Sequence, residues 1–451
     1  MNRLTRSASL AAIVASIGLS GTAPVSAASS DSIDGRWSAS LTTQTGAVIP
    51  FRLDISGSGA TLKGTLYDGF DPYETTTSAE FKDGQLTLNI DHYLTTITAS
   101  VKDGQLAGTV VAHNRGSSSQ YGFQATRYVK PGASATDIPS IAGSWEIPLE
   151  TPSSKGEKAF RLIVKQNGSE VAASILRVDG DTGSYSGTYQ DGKWVLSHFD
   201  GSRPGVIVVT PQQDGTLQVL QNPERPNPVS SSAATPTTNT NVVKTAGKTY
   251  DDSISDGRYA PALVAYRTEV ARAKGLPEPE NYATHTTVRD PNEKFTFNFP
   301  DVDGHLISND DPRFKGKVVL AIVTGTWCPN CHDEAQYLVK LDKKYRNKGL
   351  AIVALDFEEP EQQGSLARER AFVKQYGVKY TYLIAGAPAE MWEKVPQAVN
   401  LNTWPATFFI GRDGRVQGVH SGFASPASGE FNRQLQKEFT SKIETLLADN
   451  K

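Results

Sequence analysis

The chain of 451 residues contains two cysteines, Cys328 and Cys331, which lie three positions apart. Cysteines this close cannot connect distant parts of a fold, so a disulfide between them is local and more typical of redox chemistry than of a structural crosslink. In such a pair one thiolate attacks a substrate disulfide, and the second thiol resolves the mixed disulfide, so that two electrons move. The pair therefore predicts dithiol exchange that needs no metal and no organic cofactor.

The residues around the cysteines predict a strand, a turn and a helix. The unbroken apolar run 318–323 is typical of a strand buried on both faces. Pro329 suits the first turn of a helix. Apolar residues then recur at helical spacing, at Ala335, Leu338, Leu341 and Tyr345. We therefore expect Cys328 at a helix N-terminus, where the helix charge and free N–H groups lower the pKa of a CxxC nucleophile to roughly 3.5–7.5.

The sequence around the two cysteines is also compatible with haem attachment or zinc binding. Cys328 to His332 read CPNCH, which fits the CxxCH pattern of haem attachment. A haem iron would need a second axial ligand, for which Met391 or a distant histidine is available. A zinc ion would find two thiols and one histidine, which fill its tetrahedral shell poorly. Haem attachment stays as an alternative to dithiol exchange.

Length, composition and net charge indicate how many domains and which classes of partner to expect. At this length two to four domains are expected, and a hydrophobic content of 38% can supply each with a core. Lys and Arg number 45 against 48 Asp and Glu, so the net charge of -3 gives no electrostatic reason to expect nucleic acid or an anionic membrane as partner.

Residues 1–27 are typical of an export signal. Arg3 and Arg6 precede the apolar stretch 8–19, and small residues up to Ala27 suit cleavage. No later stretch approaches the roughly 20 apolar residues of a membrane span, and no cysteine follows the signal to carry a lipid. We expect an exported protein without stable membrane insertion, periplasmic if the source is Gram-negative and otherwise secreted. A buried N-terminal helix is the alternative.

Residues 30–130 and 138–222 are similar to each other. Trp37 in the first segment corresponds to Trp145 in the second, and FRL at 51–53 corresponds to FRL at 160–162. Both segments alternate apolar and polar residues between Asp-Gly or Asn-Gly turns, which predicts two tandem all-β units, barrels or sandwiches. Their histidines His92, His113 and His198 stand without a neighbouring ligand in sequence, so we expect no metal there. Such units are predicted to serve as docking or structural modules.

The remaining sequence predicts a linker, a bridge and an α/β unit. Residues 223–247 are rich in Pro, Ser, Thr and Asn, which predicts a semi-extended linker. Within the predicted bridge 248–283, residues 260–274 favour a helix that ends at Gly275. From residue 284 to residue 451 the pattern alternates strands and helices. Besides 318–323, the predicted strands are 350–355, 381–384 and 407–410. Ser365 is predicted to cap a helix that runs through Tyr376 and stops at Gly377, and another helix is predicted around Phe431 to Leu447.

Residues 284–451 resemble the thioredoxin-like domain of the TlpA/ResA-like extracytoplasmic thiol:disulfide oxidoreductases. The matching segments, in order, are FNFPDVDGHL, KGKVVL, TWCPNC and TWPATFFIGRDGRV. The resemblance implies an α/β thioredoxin-like fold, with Cys328 as the attacking thiol and Cys331 as the resolving thiol. It also implies that Pro405 is a cis-proline beside the site and that Glu334 is the acid found three residues after the second cysteine in the ResA-like branch.

Further roles follow from the same resemblance. Trp327, Thr403 and Trp404 are expected to border the substrate, and the partners are expected to be protein disulfide or dithiol clients and an upstream electron donor. Glu334 could shuttle a proton to or from the dithiol. A solvated acid, favourable simply because it lies in the first turn of a helix, explains Glu334 equally well.

Two departures from the wider family leave the redox direction and the substrate open. Ile322 stands where thioredoxin carries a buried Asp, and Trp404 replaces a small residue before the proline. We favour reduction of protein disulfides on the resemblance alone. A peroxiredoxin-like thiol peroxidase is an alternative, although Gly325 occupies the position where peroxiredoxins carry Thr. A non-enzymatic binding protein with an incidental CxxC is another.

Overall fold

The computed structural model describes residues 32–114, 117–129, 138–202, 204–221, 243–245, 248–250 and 262–449. The export signal predicted over residues 1–27 and most of the predicted linker lie outside the described residues.

The first β unit, residues 32–129, is an antiparallel sheet of nine strands in the order β4-β3-β2-β1-β9-β8-β7-β6-β5. Because β4 and β5 form its two edges, the sheet is open and forms a half-barrel around one apolar core. The strands are β1 Gly35–Thr42, β2 Val48–Ser56, β3 Lys63–Asp68, β4 Asp71–Thr75, β5 Ser78–Lys82, β6 Gln85–Ile90, β7 Thr95–Lys102, β8 Gln105–Asn114 and β9 Ser117–Arg127.

The second β unit is a closed barrel. Its strands are β10 Gly143–Pro148, β11 Ala159–Asn167, β12 Glu170–Arg177, β13 Gly180–Asp181, β14 Tyr185–Gln190, β15 Lys193–His198, β16 Gly205–Pro211, β17 Leu217–Gln221 and, after the short hairpin of β18 Val243–Thr245 and β19 Lys248–Tyr250, β20 Leu263–Arg267. Strand β11 pairs with both β10 and β12, and β20 pairs with both β10 and β17, which closes the ring. The predicted all-β units are thus one barrel and one half-barrel.

The prediction of a helix over residues 260–274 is wrong in its first half. Strand β20 occupies Leu263–Arg267, and only α1, Thr268–Ala273, is helical. Ala265 faces the barrel core whereas Val264 is 40% exposed, the two-residue alternation of a strand. The barrel would otherwise be open between β10 and β17, so long-range pairing overrides the local helix propensity.

Both β units contain the same corner, by which we mean a buried Trp whose indole bonds to a backbone carbonyl and whose ring packs against an Arg. The indole N–H of Trp37 donates to the Ile33 carbonyl, and that of Trp145 donates to the Ile141 carbonyl, each at 2.9 Å. Arg127 lies 4.0 Å from the Trp37 ring centroid, and Arg267 lies 3.9 Å from that of Trp145. Strand β20 is therefore the counterpart of β9, separated from the rest of its unit by the inserted segment 222–262.

The C-terminal unit, residues 282–449, contains a sheet of five strands in the order β26-β25-β24-β28-β29. The strands of this unit are β21 Thr287–Val288, β22 Asn298–Pro300, β23 Leu306–Ser308, β24 Val318–Thr324, β25 Leu350–Phe357, β26 Thr381–Gly386, β27 Ala398–Val399, β28 Ala406–Ile410 and β29 Val416–Ser421. The helices are α2 Tyr282–His285, α3 Pro329–Tyr345, α4 Pro360–Gln363, α5 Ala367–Tyr376, α6 Met391–Lys394 and α7 Glu430–Ala448.

The central strand β24 is buried along its whole length, as its apolar run predicts. Its alternate residues pack on opposite sides: Leu320 lies in the cluster that α3 and α7 cover, and Ala321 lies in the cluster on the other face. Helix α5 stops at its C-cap Gly377, as predicted; the φ of 64° at this residue lies in the left-handed region, which glycine adopts without steric cost. Its N-cap, however, is Leu366 rather than the predicted Ser365. Within the described residues, no helix has the length and apolar character needed to cross a membrane.

Replacing Arg267 by Ala should destabilise the second β unit. The substitution removes the guanidinium hydrogen bond to the Ala142 carbonyl and the contact with Trp145. We expect a loss of about 2 kcal/mol in the free energy of unfolding, measured by urea denaturation with tryptophan fluorescence. Arg433→Ala, at an exposed position of α7, is the control. An equal loss in both variants would mean that the corner contributes nothing specific.

Candidate active site

The dithiol lies where β24 ends and α3 begins. Cys328 is the N-cap of α3 and Pro329 occupies its first position, as predicted. The backbone N–H groups of Cys331 and His332 donate to the Cys328 carbonyl at 3.0 and 3.3 Å. No disulfide joins the two cysteines, which are 5% and 2% exposed, respectively. The first turn of the helix therefore holds Cys328 at its positive end and Cys331 one turn inward.

The loop before β28 borders Cys328. The Trp404–Pro405 peptide bond is cis. The Cys328 thiol donates to the Trp404 carbonyl at 3.5 Å, and the Pro405 carbonyl accepts from the Gly422 N–H at 2.7 Å. This loop is thus connected on one side to the thiol and on the other to the end of β29.

Aromatic rings form one wall of the site. The Trp327 and Trp404 rings meet edge to face with centroids 5.1 Å apart, and the Trp327 indole donates to the Phe357 carbonyl at 2.9 Å. Trp404 is buried, Trp327 is half-buried, and Thr403 is fully buried with a hydroxyl that makes no hydrogen bond to any described residue. Trp327 is therefore the most accessible of the three predicted substrate contacts.

The two thiols differ in electrostatic environment. Burial, followed by the hydrogen bond and charge of Cys328, raises the pKa of Cys331 well above its ordinary value. A hydrogen bond with Thr324 opposes this shift but is weaker. Cys331 therefore stays protonated near neutral pH, while Cys328 has the helix N-terminus beside it. The arrangement favours Cys328 as the thiol that ionises first.

Glu334 lies inside the protein, so a solvated acid is the wrong explanation for it. Its side chain is 1% exposed, one carboxyl oxygen accepts from the Thr407 hydroxyl at 2.5 Å, and the other has no partner among the described residues. Burial, opposed by the Thr407 hydrogen bond and aided by the charge of Cys328, raises the pKa of Glu334 to about 8. The carboxyl group can therefore bind or release a proton near neutral pH.

A buried polar network adjoins the dithiol, and the sequence patterns did not reveal it. The Thr326 hydroxyl donates to Glu358 and accepts from Arg368 at 2.9 Å, and Arg368 also pairs with Glu358 and Glu359. Asp356, at the end of β25, and Glu358 and Glu359, which follow that strand, are 0%, 0% and 5% exposed. The available signal was the parallel pairing of β24 and β25, which places both strand ends at one edge of the sheet.

His332, in the first turn of α3, is buried. Its ring nitrogens lie 2.9 Å from the Tyr376 hydroxyl and 2.7 Å from the Thr326 carbonyl. The ring also stacks on Tyr93 of the first β unit with centroids 4.3 Å apart. Because both nitrogens have protein partners, His332 does not present a free ligand atom to a haem iron or a zinc ion.

Both β units contact the first turn of α3. The Tyr73 hydroxyl donates to Asp333 at 2.7 Å, and the Asn330 amide donates to the Asp179 carbonyl at 3.0 Å. His92 and His198, which appeared isolated in the sequence, lie beside carboxylates: His92 is 3.2 Å from Glu74, and His198 is 3.5 Å from Asp200. Tertiary structure thus surrounds the dithiol with residues from all three units.

Comparison with known proteins finds similar proteins for the C-terminal unit. The Redoxin family matches residues 288–435. Thiol-disulfide oxidoreductase ResA of Bacillus thuringiensis is 31% identical over 143 residues, which are 32% of this chain and 72% of that protein. Thioredoxin-like protein YneN of Bacillus subtilis is 34% identical over 110 residues, which are 24% of this chain and 58% of that protein. A thiol:disulfide interchange protein from Chlorobium tepidum has a solved structure that is 22% identical, with a TM-score of 0.27, over 36% of this chain and 100% of that chain.

The C-terminal unit is that of a thioredoxin-like thiol-disulfide oxidoreductase. Since it covers 72% of ResA at 31% identity, the chain belongs to the ResA-like members of the Redoxin family through its last third. The resemblance drawn from the sequence motifs is confirmed.

Glu334→Gln should change how stability depends on pH. Between the ordinary value of 4.5 and about 8 the folded chain keeps a proton on Glu334 that the unfolded chain releases, so this group makes stability fall as pH rises through that window. The neutral amide removes the effect, which is at most about 1.4 kcal/mol per pH unit. We expect a smaller decrease in the free energy of unfolding from pH 5 to pH 8 than in the wild type, measured by urea denaturation.

Glu80→Gln, at an exposed position of β5, is the matched control and should keep the wild-type slope. If Glu334→Gln also keeps that slope, Glu334 is ionised throughout the range and the assignment of a raised pKa is wrong.

Proposed function

We propose that the protein is an exported enzyme that reduces protein disulfides by dithiol exchange through Cys328 and Cys331. The observation that carries this proposal is the asymmetry of the two thiols: Cys328 caps α3 beside the Pro405 loop, whereas burial keeps Cys331 protonated. The direction of electron flow and the protein substrates rest on the resemblance of residues 284–451 to the TlpA/ResA-like oxidoreductases. The partners are then disulfide-containing client proteins and an upstream donor that returns two electrons to the enzyme.

In the first step the Cys328 thiolate attacks one sulfur of the client disulfide. A bond forms between Cys328 and that sulfur, and the other client sulfur leaves as a thiolate that takes a proton. The Trp404 carbonyl, 3.5 Å from the Cys328 sulfur, and the half-buried Trp327 ring border the position where the client chain would lie.

In the second step Cys331 attacks the Cys328 sulfur and releases the client as a dithiol. This step requires Cys331 to lose its proton, although burial disfavours its thiolate. We assign Glu334 as the group that exchanges this proton, since its carboxyl is buried, has an unpartnered oxygen and is sensitive to the charge of Cys328. The enzyme ends as a disulfide, and the client has gained two electrons.

Two alternatives are less well supported. A peroxiredoxin-like site has Thr at position 325, but a Cβ added to Gly325 would lie 2.4 Å from the Trp327 indole nitrogen and 3.1 Å from the Phe357 carbonyl oxygen. A c-type haem would use His332, whose two ring nitrogens already have protein partners. Both observations favour disulfide exchange.

The two cysteine variants distinguish the proposed roles. Cys331→Ser should accumulate mixed disulfides between Cys328 and client proteins, because the resolving thiol is gone. Cys328→Ser should accumulate none and should lose disulfide reductase activity. Both are detected by mass spectrometry after acid quenching of oxidised protein substrate, with a double variant as control. Equal trapping by both variants would refute the order of attack.

We further propose that the β units restrict access to the dithiol rather than simply tethering it. The β12–β13 hairpin lies against the site: Gly180 forms a parallel bridge with Phe423, and the Asp179 carbonyl accepts from Asn330, between the two cysteines. Asp181 fixes this hairpin by accepting hydrogen bonds from Ser425 and Ser428. The hairpin therefore occupies surface that a large client would approach.

Gly180→Ala tests this restriction. The residue has a φ of 124°, and a Cβ there would lie 2.5 Å from the Phe423 carbonyl oxygen and 2.8 Å from the Asn330 side chain, so the substitution should push the hairpin away. We expect reduction of a protein disulfide such as insulin to become roughly threefold faster or more, while reduction of a small aromatic disulfide changes little.

Gly192→Ala is the matched control, since Gly192 also has a positive φ of 81° but has no atom within 4 Å of an added Cβ. It should leave the ratio of the two rates unchanged. A slower reduction of insulin by Gly180→Ala would instead mean that the hairpin contributes contacts to the client.

A further inference from the structure

We propose that Glu74 of the first β unit is a positioning residue for the dithiol, which acts through Tyr376 to keep the imidazole of His332 protonated. Glu74 lies on the edge strand β4, and it is 3% exposed. Tyr376 is the last residue of α5, and His332 is in the first turn of α3. The inference rests on the proposed function, in which Cys328 is the thiol that ionises. A residue of the first β unit thereby adjusts the reactivity of the C-terminal unit.

A continuous chain of hydrogen bonds joins Glu74 to the loop before Cys328. The Tyr376 hydroxyl lies 3.3 Å from a carboxyl oxygen of Glu74 and 2.9 Å from Nδ1 of His332. Nε2 of His332 lies 2.7 Å from the Thr326 carbonyl oxygen. The backbone N–H of His332 donates to the Cys328 carbonyl at 3.3 Å. His332 is therefore bonded both to the residue that carries the attacking thiol and to the loop two residues before it.

The number of protons along this chain links the state of His332 to that of Glu74. A carbonyl oxygen only accepts, so Nε2 of His332 must carry a proton. Burial, and next the charge of Glu74, raises the pKa of Tyr376 well above its ordinary value, so the hydroxyl keeps its single proton. When that proton is donated to Glu74, Nδ1 of His332 must donate to the tyrosine oxygen. The ring then carries two protons and a positive charge.

Burial of Glu74 favours this charged state of the ring. A carboxylate that is 3% exposed is unfavourable unless a positive charge lies nearby. Among the described residues, neither a lysine nor an arginine forms an ion pair with Glu74. The Gln375 amide donates to it at 3.0 Å but is uncharged. The positive charge must therefore come from one of two buried histidines, His92 or His332.

His332 suits a positive charge better than His92 does. A charged imidazole has two N–H donors, and leaving either of them without an acceptor inside a protein is costly. Nε2 of His92 lies 3.2 Å from a Glu74 oxygen but outside hydrogen-bond geometry, and its Nδ1 has no hydrogen-bond partner among the described residues. Both ring nitrogens of His332 instead face oxygen atoms that can accept. The charge that Glu74 requires is therefore assigned to His332.

The other titratable groups near His332 leave this assignment in place. They are His92 and Tyr93 of the first β unit, Arg368 of α5, which reaches the Thr326 hydroxyl, and the next residue of α3, Asp333. The charge of Arg368 is already balanced, since it pairs with two glutamates. Burial raises the pKa of Asp333 well above its ordinary value, so this carboxyl is not the counter-charge. Glu74 remains the acid on which the His332 charge depends.

A positive charge on His332 favours the thiolate of Cys328, which lies one helical turn away. It also stabilises the dithiol relative to the disulfide, because only the reduced form carries the thiolate. The first β unit therefore makes the attacking thiol easier to ionise.

Glu74→Gln tests the proposal in the reduced full chain. The neutral amide no longer stabilises the charge on His332, so the pH midpoint for ionisation of Cys328 should rise by about 0.5 unit or more. The midpoint is measured from the pH dependence of Cys328 alkylation by iodoacetamide, read by mass spectrometry. The equilibrium with glutathione should shift roughly threefold towards the disulfide. Removal of a negative charge alone would lower the midpoint, so a fall overturns the proposal.

Tyr376→Phe removes the link between Glu74 and His332 while it keeps the aromatic ring in place. Its midpoint should also rise, and the double variant with Glu74→Gln should rise no further than the larger single shift, because both changes break one chain. Near-ultraviolet circular dichroism confirms that each variant is folded. Additive shifts would mean that the two side chains act independently, which refutes the proposed chain.

Glu170→Gln is the matched control. Glu170 pairs with Arg52 at 2.6 Å and joins the two β units, so its substitution changes a carboxylate to an amide away from α3. It should leave the midpoint unchanged, and an equal rise would mean that general loosening of the units is responsible and that the proposal is wrong. The titration uses no client protein, whereas insulin reduction tests the proposed function, so failure of the one is distinguishable from failure of the other.

Discussion

The first turn of α3 is the constraint on which the rest of the site depends. Its backbone positions Cys328 at the helix N-terminus and Cys331 in the interior, so one element creates the difference between the proposed attacking and resolving thiols. Two other segments contact this turn: the Trp404 carbonyl accepts from the Cys328 thiol, and the Asp179 carbonyl accepts from the Asn330 amide between the cysteines.

Buried acids flank this turn in two chemically different ways. Glu334 has one hydrogen bond and a pKa of about 8, which suits a group that gains and loses a proton during exchange. Glu358 is instead held by Thr326 and Arg368 and belongs to a larger carboxylate cluster. In the proposed mechanism the first acid exchanges a proton with the dithiol, whereas the second anchors the loop that carries the dithiol. Both are costly to bury, which argues for function rather than packing alone.

The duplicated β units show how much long-range pairing decides. The Trp37 and Trp145 corners could be aligned from the sequence, because each belongs to a continuous segment. The partner of Trp145, Arg267, could not, because the inserted segment separates it from its unit and its neighbourhood favours a helix by composition. An Ala-x-Arg sequence shared by β9 and β20, at Ala125 and Ala265, was the available signal. Closure of the barrel overrode the local preference.

The sequence alone determined the dithiol, the strand and helix around it, the proline loop and the family, because these depend on local spacing and on motifs of a few residues. Tertiary structure alone decided that Glu334, His332 and Asp356 are buried, and that the β12–β13 hairpin lies beside Asn330. The physical reason is that burial depends on which surfaces meet, and here they belong to segments far apart in the chain. Local periodicity cannot show whether a polar residue at the end of a strand or in the first turn of a helix is covered by another unit.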